Sequence, residues 1–401
     1  MAASGTLYEE KRLGVLDGLR GIAVLLVLWY HVWEISWLPA PVSWLQFVPE
    51  TGFVGVVLFF FLSGFVISFP FVRSAAGQRS SPSWSQFAWR RFTKIVPSYV
   101  LAIVVAYAIG YAQVQRFADT VPDLVTHLLF VHTWFPERFG TINGVLWTLA
   151  VEVEFYCIFP LVWLAFKRTP WITAGAMMLM AWAWRAWMAH CCMQTYFASY
   201  EENLPGYLDI FACGMIAAYV YVNSGDRIRN SRLKLAAPVF LAAGTFLLIE
   251  LLWNLFGFRM ADQWQGVWQI DKRPLLGLAF ASIALGALFS PRTLQLLLDN
   301  PPLRFLAAIS YNLYLYHQLI ARELLRLRIP SYVGDDPHYD PLWQVRYTQI
   351  AFTATIAQAA LVTYLFERPL LRLPMPQLRA LRAAWAPSRN AEARSSKPRS
   401  Q

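Results

Sequence analysis

Asp17-Gly-Leu-Arg20-Gly-Ile-Ala-Val-Leu-Leu-Val-Leu-Trp-Tyr-His31 is a run of apolar residues with an arginine at one end and a histidine at the other, and its reading decides the fold. The apolar stretch from Leu19 to Trp37 is long enough for a helix to cross a hydrocarbon layer about 30 Å thick, which needs about 20 residues. Nine further stretches of the same character follow: 52–72, 92–112, 144–166, 171–190, 206–222, 235–256, 275–289, 303–325 and 345–366. The stretch 275–289 is the shortest of the ten. Across the 401 residues 57% are hydrophobic and only 14% are charged, a balance foreign to disordered chains and to ordinary soluble domains. Backbone polar groups facing lipid must be satisfied within their own segment, so apolar runs of this length read as helices. The expected architecture is an all-α polytopic integral membrane protein with about ten transmembrane helices. A half-apolar piece, 124–135, holds His127 and His132 and is too short to span, so it reads as re-entrant or interfacial.

Charge fixes the expected orientation. With both termini and alternate loops on one side, 24 of the 34 Lys and Arg fall there and 9 on the other, with Arg185 inside a helix. Basic loops stay in the cytoplasm, which places both termini there. The net charge of +10 is thereby explained by topology, and no basic stripe remains for nucleic acid. Residues 1–370 read as one membrane-embedded domain and 371–401 as a basic, disordered cytoplasmic tail. The four cysteines contain no Cys-x-x-Cys pair, so no zinc site is expected.

An ionisable group inside a span costs several kcal/mol on most scales and marks a functional candidate. Arg20 and His31 are eleven residues apart, so steps of about 100° return them to nearly one azimuth, about 16 Å apart along the axis. Arg20 then sits at the cytoplasmic mouth and His31 beyond the bilayer centre. An imidazole that changes charge near neutral pH suits a general base acting on a hydroxyl. In Trp147-Thr-Leu-Ala-Val-Glu152-Val-Glu154-Phe-Tyr156 the two carboxyls lie on nearly opposite faces. Glu152 is expected to orient a partner on a neighbouring helix, and Glu154 to pair with Arg185. Ser310, Tyr314 and His317 form one stripe at helical spacing, with Ser310 too far from His317 for direct proton transfer. Arg91 and Lys94, about one turn apart at the cytoplasmic boundary, suit a phosphate clamp or a plain topogenic flank. Gly64 and Ser63 in the second span read as close helix packing.

Seven motifs in chain order carry a resemblance. They are Leu-Asp17-Gly-Leu-Arg20-Gly leading to His31, Leu-Phe-Phe-Phe-Leu-Ser63-Gly64-Phe, Arg90-Arg91-Phe-Thr-Lys94-Ile-Val-Pro97, Trp147-Thr-Leu-Ala-Val-Glu152, Leu-Asp209-Ile-Phe-Ala-Cys-Gly214, Ser310-Tyr-Asn-Leu-Tyr314-Leu-Tyr-His317, and Phe-Glu367-Arg368-Pro369. Together they resemble the membrane-bound acyltransferase family 3, which includes O-acetylases of O-antigen and exopolysaccharide and acylating enzymes for macrolides. The resemblance implies transfer of an acyl group, acetyl above all, from acyl-CoA to a hydroxyl of a carbohydrate or related acceptor, in a bacterial inner membrane and without a metal. Within it His31 and Arg20 match the family's essential pair; with Glu152, from its place in the fourth span, they are the expected catalytic residues, and Arg91, Lys94 and Arg20 the expected donor-binding ones. Asp17, Ser310, Tyr314 and His317 are the expected supporting residues. Val57 stands where the family pattern carries Asp, and Lys94 where it carries a second Arg. The rival class is a transporter or flippase of a polar or anionic substrate, which also uses intramembrane His, Arg and Glu. Such a protein favours broken helices in two related halves, a symmetry not seen in this sequence.

Overall fold

Apolar runs of twenty or so residues, interrupted by loops rich in Gly, Pro and charge, fold into long helices because only a helix satisfies every backbone group in lipid. The computed structural model describes residues 13–110, 117–192, 201–261, 265–334 and 336–372. Its long helices are α1 (Gly14–Ser36), α2 (Gly55–Ala75), α3 (Trp84–Ala108), the shorter α4 (Phe117–Leu128), α5 (Trp147–Phe166), α6 (Pro170–Cys192), α7 (Leu208–Asn223), α8 (Ala237–Met260), α9 (Gln265–Phe289), α10 (Pro301–Arg326) and α11 (Pro341–Val362). Among the described residues there is no strand, and eight helices are long and apolar enough to cross a membrane. Two more have the length of a span: α6, which is rich in Trp and carries Arg185 and His190, and α10, which carries several charged residues. The protein is an all-α polytopic membrane protein. The segment 124–135 does not span: α4 is followed by a 3₁₀ turn at His132–Trp134. Most of the basic tail expected from 371 lies outside the described residues.

Large apolar side chains point outward on the flanks of the bundle, with Ile172, Leu179, Phe246 and Leu365 each more than 60% exposed. In water such a surface would drive aggregation, whereas in a bilayer it faces lipid. The centre is built from α1, α2, α7 and α10. Here α1 lies along both α10 and α2, and α2 lies along α7. At the α2–α7 crossing Gly64 meets the Phe211 carbonyl and Gly214 meets that of Phe61, so a Cβ at either position would overlap backbone. Small residues permit this approach, as expected for Gly64.

Two spans begin well before their expected bounds: α3 starts at Trp84 rather than 92, which puts Arg91 and Lys94 within the helix, and α9 starts ten residues early. The apolar run 275–289 is only the latter part of α9, which begins at Gln265 and carries Arg273 within it. Arg273 is buried because its guanidinium donates to Glu201 Oε1 (2.8 Å) and Gln269 Oε1 (2.9 Å), so the charge is matched and does not break the helix.

Candidate active site

Two polar levels lie along α1, as the eleven-residue spacing of Arg20 and His31 requires. At the inner level a cavity of about 100 Å³ opens between α1, α2, α3, α5 and α10. Its polar lining comprises Arg20, Ser63, Arg91, Lys94, Thr148, Glu152 and the Tyr156, Tyr311 and Tyr314 rings, with Ser310 beside them. Glu152 accepts hydrogen bonds from Ser63 Oγ and from Tyr156 Oη, which aim its carboxylate across to α2. Lys94 Nζ pairs with Glu367 Oε1, while Asn312 Nδ2 donates to Glu367 Oε2 at 2.7 Å. A π-helical turn at Thr363–Glu367 puts Glu367 in this position, and such bulges commonly re-aim a side chain at a functional site. Tyr311 Oη donates to the Ile95 carbonyl (2.8 Å) and so ties α10 to α3 behind the cavity.

The cations and carboxylates do not balance. Lys94 is matched by Glu367, and the rest of the lining holds two arginines, Arg20 and Arg91, to the one carboxylate of Glu152, leaving one positive charge in excess. Arg91 lies 5.2 Å from the Tyr156 ring centroid, and its Nε is buried with no hydrogen-bond partner among the described residues. Unsatisfied buried donors are uncommon, and a cation with a spare N–H beside a cavity suits an anionic ligand. The lining therefore fits a phosphate or carboxylate group.

At the outer level His31 meets His317. His317 Nε2 stands 3.0 Å from His31 Nδ1, His317 Nδ1 is 2.7 Å from the Tyr314 carbonyl, and His31 Nδ1 is 2.9 Å from the Val27 carbonyl. Carbonyls only accept, so His317 Nδ1 carries the proton and its Nε2 is an acceptor in the neutral ring. His31 Nδ1 then faces two acceptors and must be the protonated nitrogen. The tautomers follow from the network, and they leave the lone pair of His31 on Nε2. A base whose opposite nitrogen is held by a second group has the arrangement needed to take a proton from a hydroxyl. The two rings contact at 4.7 Å between centroids, and Tyr30 packs edge-on against His31 at 4.8 Å.

Sequence reasoning brought Arg20, Arg91, Lys94, Glu152, Ser310 and Tyr314 to one helix face each, and the fold gathers all six around the inner cavity. Ser310 Oγ donates to the Ala307 carbonyl (2.9 Å). Asp17 lies in the first turn of α1, where its charge suits the helix dipole, and does not line the cavity. The expected Glu154–Arg185 pair is not formed. Arg185 instead donates to Asp209 Oδ2 (2.7 Å) and the Gly206 carbonyl (2.5 Å), both buried, while Glu154 accepts from Trp134 Nε1 at 2.7 Å. Asp209 sits on α7, beside α6, where it is fully buried with the arginine, whereas Glu154 is held by Trp134. Ser63 is more than a packing residue, since it holds Glu152. Glu367 and the direct His31–His317 contact were not foreseen. Both join residues hundreds of positions apart, and the only trace in the sequence is that each partner occupies one of the seven motifs.

The chain is also similar to known proteins over most of its length. The chain is 26% identical over 372 residues to the peptidoglycan O-acetyltransferase OatA of Listeria monocytogenes, covering 88% of this chain and 55% of that protein. It is 30% identical over 179 residues to the acyltransferase MdmB of Streptomyces mycarofaciens, covering 41% and 44% respectively. The chain thus spans about half the length of the curated relatives it matches. No solved structure matches it. The profile of the acyltransferase domain family aligns with residues 13–345, and the chain belongs to that family.

Proposed function

We propose that the protein transfers an acyl group, acetyl in the simplest case, from acyl-CoA to a hydroxyl of a cell-surface carbohydrate, in the cell membrane and with the donor entering from the cytoplasm. The observation that carries this reading is the Tyr314–His317–His31 relay, which leaves His31 Nε2 unprotonated within a membrane span. The acceptor oxygen attacks the thioester carbonyl, its proton passes to His31 Nε2, the carbon–sulfur bond breaks, and the proton leaves with the thiolate. The cationic inner cavity supports the donor half. The inner and outer levels are about 16 Å apart along α1. CoA carries its thioester at the end of a long pantetheine arm, so phosphates near Arg20 and Arg91 are compatible with a carbonyl near His31. Names of relatives support acetyl as the group and peptidoglycan or another glycan as the acceptor class.

The test uses the full chain reconstituted with membranes from a producing cell and acetyl-CoA labelled in the acetyl group. Label is expected in an alkali-labile ester pool, and His31→Gln should lower its formation by at least about a hundredfold, the lower end of general-base catalysis. Label entering no ester, or wild-type turnover from correctly inserted His31→Gln protein, would overturn the reading. Accumulation of a polar solute in place of ester formation would favour a transporter.

A further inference from the structure

A second and larger cavity lies on the far side of α1 from the inner site. Its volume is about 330 Å³, and it is lined by α1, α2, α8 and α9 together with the connections between α1 and α2 and between α9 and α10. Its walls are almost wholly apolar, with Ile22, Leu26, Leu58, Leu248 and Phe280 among them. The two hydroxyls in the lining are already engaged: Thr51 Oγ donates to the Phe47 carbonyl (2.6 Å) and Thr245 Oγ to that of Leu241 (2.8 Å). A buried water needs two to four polar partners, and the volume corresponds to about ten waters, so the lining does not suit water. The walls run along α8 from Leu241 to Leu252, about 16 Å at the helical rise, inside a hydrocarbon layer about 30 Å thick. The helix between this cavity and the bilayer is α8, which presents Val239, Phe240, Phe246 and Ile249 outward.

One end of the cavity identifies its occupant. Leu294, Leu297 and Leu298 line it, and they belong to the same short segment as a charged cluster at the membrane boundary. In that cluster Arg292 Nη1 contacts Asp299 Oδ2 (2.5 Å) and Arg304 Nε contacts Asp299 Oδ1 (2.6 Å). Two guanidiniums share one carboxylate, so one positive charge remains, on side chains about half exposed: 57% for Arg292 and 46% for Arg304. An apolar slot within the membrane, capped by a net cation with spare N–H donors on the side assigned to the cytoplasm, matches an anionic phospholipid. We infer that this cavity seats one acyl chain of an anionic phospholipid from that leaflet, with the headgroup phosphate at Arg292 and Arg304. Because Ile22 and Leu26 lie on α1 between Arg20 and His31, the bound chain would buttress the helix that carries both polar levels.

Native mass spectrometry of the full chain in mild detergent tests this, with phosphatidylglycerol and phosphatidylcholine supplied in competition. One phosphatidylglycerol should be retained in preference to phosphatidylcholine by about fivefold, the factor expected for one cation near an anionic lipid. Leu248→Trp, which fills the cavity, should abolish retention. The triple variant Arg292→Gln/Asp299→Asn/Arg304→Gln removes the charges together without stranding a carboxylate; it should remove the headgroup preference while a chain is still held. The inference fails if retention survives Leu248→Trp, if the wild type does not prefer phosphatidylglycerol, or if a polyprenyl phosphate is retained in its place. Should Leu248→Trp not fold, the triple variant decides alone.

Discussion

Removing the group behind the base distinguishes a working relay from two histidines that merely touch. In His317→Leu the side chain that accepts from His31 Nδ1 is gone, whereas the Val27 carbonyl, 2.9 Å away, remains. The tautomer of His31 should therefore survive, and with it the lone pair on Nε2. What is lost is one hydrogen bond, and its worth depends on the charge of His31. In the resting neutral ring a hydrogen bond contributes about 0.5–1.5 kcal/mol, but when His31 has taken the acceptor's proton the same bond is made by a cation and is worth about 1.5–3 kcal/mol. Because it strengthens as charge develops, the loss should fall on kcat and leave the donor KM nearly unchanged. The difference, about 1–1.5 kcal/mol, sets a floor of roughly fivefold to tenfold, and full loss of the charged bond sets a ceiling near a hundredfold. His317→Gln keeps an acceptor oxygen and should recover part of the rate. The assay is single-turnover ester formation with purified, correctly inserted protein. Two results would refute the reasoning: a loss below about threefold, which would leave the contact without function, or a loss equal to that of His31→Gln, which would mean Val27 cannot hold the ring.

Arg91→Ala should raise the donor KM by about tenfold or more, since a charged hydrogen bond is worth about 1.5–3 kcal/mol, as read from initial rates against donor concentration. Lys94→Met leaves the buried Glu367 without its cation and should destabilise the fold by about 3 kcal/mol, measured by thermal unfolding in detergent, with Lys94→Met/Glu367→Gln recovering most of it. For Asp299, burial alone would raise its pKa, but hydrogen bonds from Arg292 and Arg304 outweigh that and hold it below the ordinary carboxylate range. Its stabilisation is thus fully present above about pH 4 and is lost as pH falls through the lower folded value, a dependence that Asp299→Asn should flatten in a melting series from pH 6 to pH 3. Single cysteines at Ser80 and Ser331 test the orientation: impermeant reagent on intact cells should label the second and spare the first.

How much of this was legible in the sequence depends on the range of each interaction. Helices were legible because the need to satisfy backbone groups in lipid is local, and run length reports it directly. Within a helix, angular spacing put Arg20 with His31, and Ser310 with Tyr314 and His317. Pairing between helices was not legible. Glu154 and Asp209 are both carboxylates at membrane depth, and only the packing of α6 beside α7 selects Asp209 for Arg185. The same limit hid the start of α9: Asp271-Lys-Arg273 looks like a loop until Glu201, from another part of the chain, neutralises the arginine. Glu367 was hidden by a different cause, since it takes its place through a π turn that shifts the side-chain register and cannot be inferred from a period of 3.6.

The two levels of the site are joined through one residue. The Tyr314 ring lines the inner cavity, and its backbone carbonyl receives the Nδ1 proton of His317, so a single residue of α10 faces the proposed donor pocket and orders the base. α1 contributes to both levels, with Arg20 lining the inner cavity and His31 meeting His317 at the outer, and α1 and α10 lie along one another. A slide of α10 against α1 by one helical turn, about 5.4 Å, would carry His317 well out of reach of His31 while displacing Tyr314 from the cavity. Proton acceptance and donor occupancy are therefore tied to the same helix register. Gly18 and Gly21 hold that register at the inner end of α1, where a Cβ would overlap the backbone of Leu298 and Leu303. Both backbone contacts lie at or near the start of α10, which anchors its position against α1 from the end opposite His31.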